Sequence, residues 1–320
     1  LFFLAFLMWT YLAGFRPAAY GTEKFMDYGF MEAMMRSTTL PARDLWYSEG
    51  HINYYYGGQY FAVFLTKLSH TKVELTYNLM RTFVAGLAFA MPFSLVYQMM
   101  SDRMKGQQKS EKVIKGLPFA AGFTAGTAVS IAGNMHYVIY AQIIPLIEKL
   151  TGKEVSSYWF PDATRYIGYN PYREEDRTIH EFPCYSFVLG DLHAHVVNIM
   201  FVLLVIAFLY VWLRGVRKKT VPVETSMKDG KFWKEQLLMT HLLVISALLG
   251  MFQWTNFWDF VIYYVVTLGT VLFANIIRFQ GKIKKIMVVT FAQMAEIYLL
   301  AYLVILPFTL QFDTMVDGIG

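Results

Sequence analysis

Polar and apolar positions alternate along this chain in long blocks. Apolar stretches lie at residues 1–14, 75–100, 117–135, 184–213, 237–252, 257–277 and 287–308. Crossing a bilayer takes about 20 predominantly apolar residues, so the pattern predicts seven membrane helices. Two long mixed segments, 15–72 and 136–182, and three short loops, 101–116, 214–235 and 278–285, separate them. In the first long segment, residues 26–36 have helical character. Residues 60–68 are apolar but too short to span, which predicts a helix lying at the interface. Arg81 falls inside the second span and Pro92 predicts a kink there. The glycines and alanines of the third span suit close helix packing. The expected fold is an all-α polytopic membrane protein, one membrane domain over 1–320, with two long outer loops that carry interfacial helices.

Charge orients this frame. The three short loops hold five, seven and four Lys or Arg residues, and few acids (Asp102 and Glu111; Glu224, Asp229 and Glu235; none in the third). Basic loops stay in the cytoplasm, so both long segments, the tip QWTNFWDF and the residues from Gln311 onward should face outward across the cell membrane. Charged residues make up 16% of the chain, against roughly 25% for a soluble domain. The net charge of +5 sits in the short loops, which argues against a nucleic-acid partner. The lone cysteine, Cys184, excludes an internal disulfide and a thiolate metal cluster. The chain opens inside an apolar run and stops at GIG, and so reads as a piece cut at both ends from a longer protein.

Candidate chemistry gathers on the outer side. Glu181 to His195 reads EFPCYSFVLGDLHAH, with Asp191, His193 and His195 at the mouth of an apolar run; ionisable groups at that depth are costly and mark function. On a helix Asp191 and His195 would share a face, and in an extended segment all three would. Either geometry suits a metal or an acid–base site, and Asp191 as a helix cap is the plain alternative. Glu23 and Asp27 are i and i+4, one helical face, which suits metal binding or general-base work, unless that face is merely solvated. Arg43 and Asp44 follow in LPARDLW. Tyr54, Tyr55 and Tyr56 precede two glycines; they suit either an interfacial aromatic belt or stacking on sugar rings, and the glycines allow close backbone approach. The spacing of Asp162 and Arg165 predicts a helical ion pair, or an arginine free to grip phosphate. Asn256 reads as a turn-former and Asp259 stands at the start of a span. No GxSxG, Walker, HExxH or dinucleotide pattern is present.

The segments EKFMDYGFMEAMMRS, LPARDLWYSEGHINYYYGGQYFAVFLTKL, YWFPDATRYI, EFPCYSFVLGDLHAHV and TNFWDF, with a C-terminal LPF…GIG, resemble the YYY-domain membrane proteins, multipass proteins of archaea and some bacteria. That family in turn resembles the GT-C glycosyltransferases, which move a sugar from a polyprenyl-phosphate carrier on the outer membrane face; this second step is an analogy at the level of fold. The resemblance implies Asp27, or else Glu23, as the base for an acceptor hydroxyl. It implies Asp191 with His193 or His195 as a holder of donor phosphate or of a divalent metal (Mg or Mn). Arg165 would neutralise the leaving phosphate, and the tyrosine triplet would line the groove, with Asp44, Asp162, Glu181 and Asp259 around the substrate. The partners implied are a polyprenyl-phosphate-linked sugar, an acceptor that is a glycan, lipid or protein, and membrane lipids. A transporter using Arg81 and the outer carboxylates and a non-catalytic scaffold for envelope assembly are the competing classes.

Overall fold

The computed structural model describes the chain except residues 106, 108–109, 153–157, 170–171, 175–176, 219–225, 238 and 314–320. The GIG motif, Lys109, Lys219 and Glu224 lie outside the described residues. Among the described residues there is no strand, only isolated bridges at Arg43–His51 and Tyr169–Tyr172. The helices are α1 (Phe2–Ala13), α2 (Lys24–Arg36), α3 (Gly57–Leu68), α4 (Val73–Met104) and α5 (Glu111–Ser130). Next, α6 (His136–Val138) runs through a π-turn into α7 (Ile144–Thr151), followed by a 3₁₀ turn (Phe160–Thr164) and α8 (Pro183–Leu189). The remainder is α9 (Ala194–Lys218), α10 (Gly230–Leu237), α11 (Thr240–Thr255), α12 (Phe257–Phe279) and α13 (Ile283–Thr309).

Four of these, α4, α9, α12 and α13, are long and apolar enough to cross a membrane. The pair α10–α11, bent by 49°, makes five if it counts as one span. Two expected elements are redrawn. The run 184–213 is not one helix: α8 stops at Gly190, whose φ of +82° is left-handed and whose N–H bonds Ser186 O at 2.8 Å. Glycine adopts that conformation without steric penalty and ends the helix, so Asp191, Leu192 and His193 lie in a non-helical link before α9. The run expected at 117–135 is shifted toward the N-terminus, since α5 begins at Glu111 behind Ser110 and ends at Ser130. Pro92 lies inside an unbroken α4.

The chain forms two compact units. The first comprises Leu1–Ala13 and Ala85–Gly190. Here α5 approaches α4 through glycines: a Cβ on Gly122 or Gly126 would come within 2.7 Å of the carbonyl of Phe93 or Phe89. Trp9 Nε1 donates to Ser130 Oγ at 3.1 Å, and that hydroxyl donates to Ala85 O at 3.0 Å.

The second unit comprises Gly14–Val84 and Asp191–Gly320. Its core is a bundle of α9, α11, α12 and α13 around Leu209, Ile245, Leu249, Phe252, Val271 and Ile297. A Cβ on Gly250 would sit 2.5 Å from the Ala301 carbonyl, so α11 and α13 are nearly in backbone contact. Both α2 and α3 are amphipathic. The buried positions of α2 (Asp27, Phe30, Met31, Met34) recur at three and four residues and so form one stripe against α3. In turn α3 rests on α9 through Gly58 and on α11 through Gly57.

Candidate functional site

The stripe of α2 that packs on α3 begins with charge. Glu23 is the N-cap of α2 and Asp27 lies in its first turn, so both carboxylates face one way and meet the link before α9. His193 Nε2 lies 3.3 Å from Glu23 Oε2 and 3.7 Å from Asp27 Oδ2. The three side chains grade outward: Asp27 is 0% exposed, His193 13% and Glu23 63%. Gln59, on the first turn of α3 and wholly buried, donates from Nε2 to Asp27 Oδ1 at 2.9 Å and to Leu192 O at 3.0 Å. One amide thus ties α2, α3 and the 190–193 link together. Asp27 Oδ2 and His193 Nε2 are both buried and make no hydrogen bond of good geometry among the described residues.

Electrostatics follow from this burial. Loss of water raises the Asp27 carboxyl from 3.8 to about 6; the His193 charge and the Gln59 hydrogen bond pull it back, while the Asp191 charge adds to the rise. Tyr54 is pushed up to about 12, first by burial and then by the Asp27 and Glu23 carboxylates. Lys24, also buried, is pushed below its usual range by desolvation, against the pull of Asp191 and with the repulsion of Arg81 and Arg16.

Asp191 is 1% exposed, and its Oδ1 accepts the Thr22 hydroxyl at 2.7 Å. Its charge acts on Lys24, Arg81 and Asp27. Arg81 also donates to Arg16 O at 3.3 Å. His195 stands on the first turn of α9, exposed, its ring centroid 5.7 Å from that of His193. The structure also turns Asp27 and Glu23 toward His193. Two of that set's three inward atoms, Asp27 Oδ2 and His193 Nε2, are buried without a hydrogen-bond partner among the described residues, and they are the donors that a divalent cation would use.

The tyrosine triplet anchors the α3 start to its surroundings. Tyr54 packs on Phe30 of α2 (5.6 Å), Tyr55 on Phe257 (6.3 Å) and Phe312 (5.4 Å), and Tyr56 on Trp254 (5.7 Å) and Phe308 (5.9 Å). Tyr54 and Tyr55 stay half-buried and Tyr56 is buried. The glycines that follow serve helix packing: a Cβ on Gly58 would meet Val197 at 2.8 Å. Asp44 closes a turn, accepting the N–H groups of Trp46 and Tyr47 at 2.7 and 2.9 Å. Asp259, at the start of α12, accepts Asn198 Nδ2 at 2.6 Å and Asn256 Nδ2 at 2.8 Å, while Thr255 donates to Asn198 Oδ1 at 2.6 Å.

Three sites fall in the other unit. Asp162 sits in the 3₁₀ turn, and the spacing-based ion pair does not form: Arg165 donates to Pro161 O at 2.7 Å and lies over the Trp159 ring at 4.8 Å. Arg165 follows the end of the turn with φ −114° and ψ 77°, so helical spacing does not set the direction of its side chain. Glu181 accepts the Ser186 hydroxyl at 2.8 Å at the start of α8.

Sequence reasoning missed Gln59, Thr22, Lys24 and Asn198. Gln59 carried a signal, since it and Thr66 are the polar members of the buried stripe of α3. Thr22 carried none, its partner being 169 residues away.

A family model described as "Uncharacterized membrane protein (DUF2298)" matches residues 1–320. No curated protein and no solved structure matches the chain.

Proposed function

We propose that this chain, which belongs to the DUF2298 family of membrane proteins, is the membrane core of a glycosyltransferase. It would transfer a sugar from a polyprenyl-phosphate-linked donor to an acceptor hydroxyl on a glycan, lipid or protein. The observation that carries this reading is the buried-to-exposed series Asp27, His193, Glu23, gathered on one imidazole nitrogen. The reading takes α1, α4, α5, α9, α10–α11, α12 and α13 as seven passes, in the manner of the GT-C enzymes. It sets the Asp27 cluster at the extracytoplasmic surface of the cell membrane and the basic loops in the cytoplasm.

The chemistry asked of the cluster is modest. An acceptor O–H gives its proton to Glu23, the carboxylate that reaches solvent, and the oxygen forms a bond to the anomeric carbon of the donor. The bond from that carbon to the phosphate oxygen breaks, and its electron pair leaves on the lipid phosphate. Asp27, behind the imidazole, holds His193 in place and sets the local charge; a base must reach the proton it abstracts, and the burial of Asp27 assigns it the rear position. If Mg or Mn takes part, Glu23 Oε2, Asp27 Oδ2 and His193 Nε2 are the atoms that would hold it, to neutralise the departing phosphate. Tyr54 presents an aromatic face beside the cluster for a sugar ring.

The test is transfer by purified protein in proteoliposomes. Glu23→Gln and His193→Ala should each lower kcat at least 100-fold, and Glu49→Gln, at an exposed loop carboxylate, should leave it within about twofold. Parental rates in the first two variants would remove the cluster from catalysis.

An ion-coupled transporter is the second reading. Glu296 favours it: the carboxyl lies within α13, and its Oε2 is buried without a hydrogen-bond partner among the described residues. Uptake of a solute without covalent change would select this reading.

A further inference from the structure

Within the second unit, the C-terminal half of α9 and the bend between α10 and α11 enclose a cavity of about 650 Å³. Trp212, in its wall, is 18 residues beyond Ala194, so the cavity lies about 27 Å along α9 from the Asp27 cluster. Its walls are Phe208, Val211, Trp212 and Val244, and its polar members include Arg278, Gln236 and Glu235. That size and that mixture, an apolar chamber with a few convergent polar groups, are those of a ligand site.

Three details narrow the ligand. Trp212 is only 4% exposed, and its indole N–H has no acceptor among the described residues. That nitrogen is itself closed off from solvent, so the indole offers the cavity an apolar wall and not a hydrogen bond. Arg278 spends one N–H of Nη1 on Asn275 Oδ1 and one of Nη2 on Gln236 Oε1, which leaves donors of its five for an anionic group. Glu235 brings an opposite charge to the same cavity and is exposed at the helix surface. One cation, one carboxylate and an apolar wall match a molecule with a phosphate, a nearby ammonium and a hydrocarbon chain.

We propose that this cavity retains one zwitterionic phospholipid with a primary ammonium head, its phosphate on Arg278, its ammonium at Glu235 and a chain along Phe208, Val211 and Val244. Short basic loops adjoin the cavity on the sequence, at Arg214 and Arg217 and at Lys282 and Lys284, where lipid phosphates concentrate. The site is independent of sugar transfer.

Gly215 supplies the variant. It lines the cavity, and a Cβ there meets nothing within 4 Å, so Gly215→Leu fills the chamber without moving backbone. The protein is reconstituted in bilayers of equal phosphatidylethanolamine, phosphatidylcholine and phosphatidylglycerol, extracted in mild detergent, and its retained lipid counted by native mass spectrometry. The expected result is one phosphatidylethanolamine per chain, at least fivefold over the other two. Gly215→Leu should abolish that retention while the melting temperature in lipid-free detergent is unchanged. Arg278→Gln should lower it severalfold, and Glu235→Gln should erase the preference over phosphatidylcholine. Equal retention of all three lipids, a preference for phosphatidylglycerol, or undiminished retention in both Gly215→Leu and Arg278→Gln would overturn the proposal.

Discussion

At the scale of single residues, Asp27 controls the site by being out of water. Its folded pKa of about 6 lies above its ordinary 3.8, so between those values the folded state holds the proton more tightly than the unfolded one. Stability therefore falls as pH rises from about 4 to about 6, and the full cost, roughly 3 kcal/mol, is present above that window. Asp27→Asn removes the buried charge and keeps the shape. The variant should melt higher than the parent at pH 8, lose that slope between pH 4 and 6, and transfer sugar slowly. Parallel melting curves for the two proteins across this window would show that Asp27 is not the group responsible. The i, i+4 spacing made the shared face of Glu23 and Asp27 legible in the sequence. The convergence on His193 was not, nor was the turning of Asp191 to Thr22, because both depend on partners brought together over more than 160 residues.

At the scale of elements, the site depends on how closely α3 seats on α9 and α11. Gly58→Ala forces a methyl into Val197, at 2.8 Å from its Cβ, and should cost about 1–3 kcal/mol by overpacking. The same shift moves Gln59 away from Asp27 and Leu192, so transfer should fall with stability. Gly215→Ala, facing open space, is the control and should melt with the parent; unfolding by denaturant compares the two, and equal stability of both variants would contradict this packing. Hydropathy located α2, α3, α4, α12 and α13 to within a few residues. It read through Gly190, because an apolar scale registers that residue as neutral, whereas its left-handed φ ends one helix and frees three residues for the site. It also started α5 late, at the first uninterrupted apolar residue, although the helix already runs through Lys112 and Lys115.

At the scale of the whole molecule, the Asp27 cluster and the contact of α10, α12 and α13 lie at opposite ends of α9 and α12 in the second unit. Thr22, Asp27, Gln59, His193 and Asp259 lie at or near the N-terminal ends of α2, α3, α9 and α12. Gln236, Arg278 and Lys285 lie where α10, α12 and α13 meet at the other end, with Lys285 Nζ over the Phe232 ring at 4.6 Å. In a Cys184→Ser background, Glu49→Cys should react with a membrane-impermeant maleimide on intact cells, and Lys228→Cys only after permeabilisation. The reverse labelling would invert the orientation. The all-helical membrane class was legible from block hydropathy alone; the site was legible as a list of residues but not as an arrangement. The central claim is that the cluster around His193 serves sugar transfer from a lipid phosphate. Its most direct measurement is to give the purified protein, in proteoliposomes, a panel of polyprenyl-phosphate-linked hexoses with membrane glycan and lipid acceptors, and to follow both halves of the donor. The account predicts free polyprenyl phosphate in step with acceptor-bound sugar, both abolished by Glu23→Gln. Donor that stays intact across the panel, or that is cleaved equally well by Glu23→Gln, would contradict it.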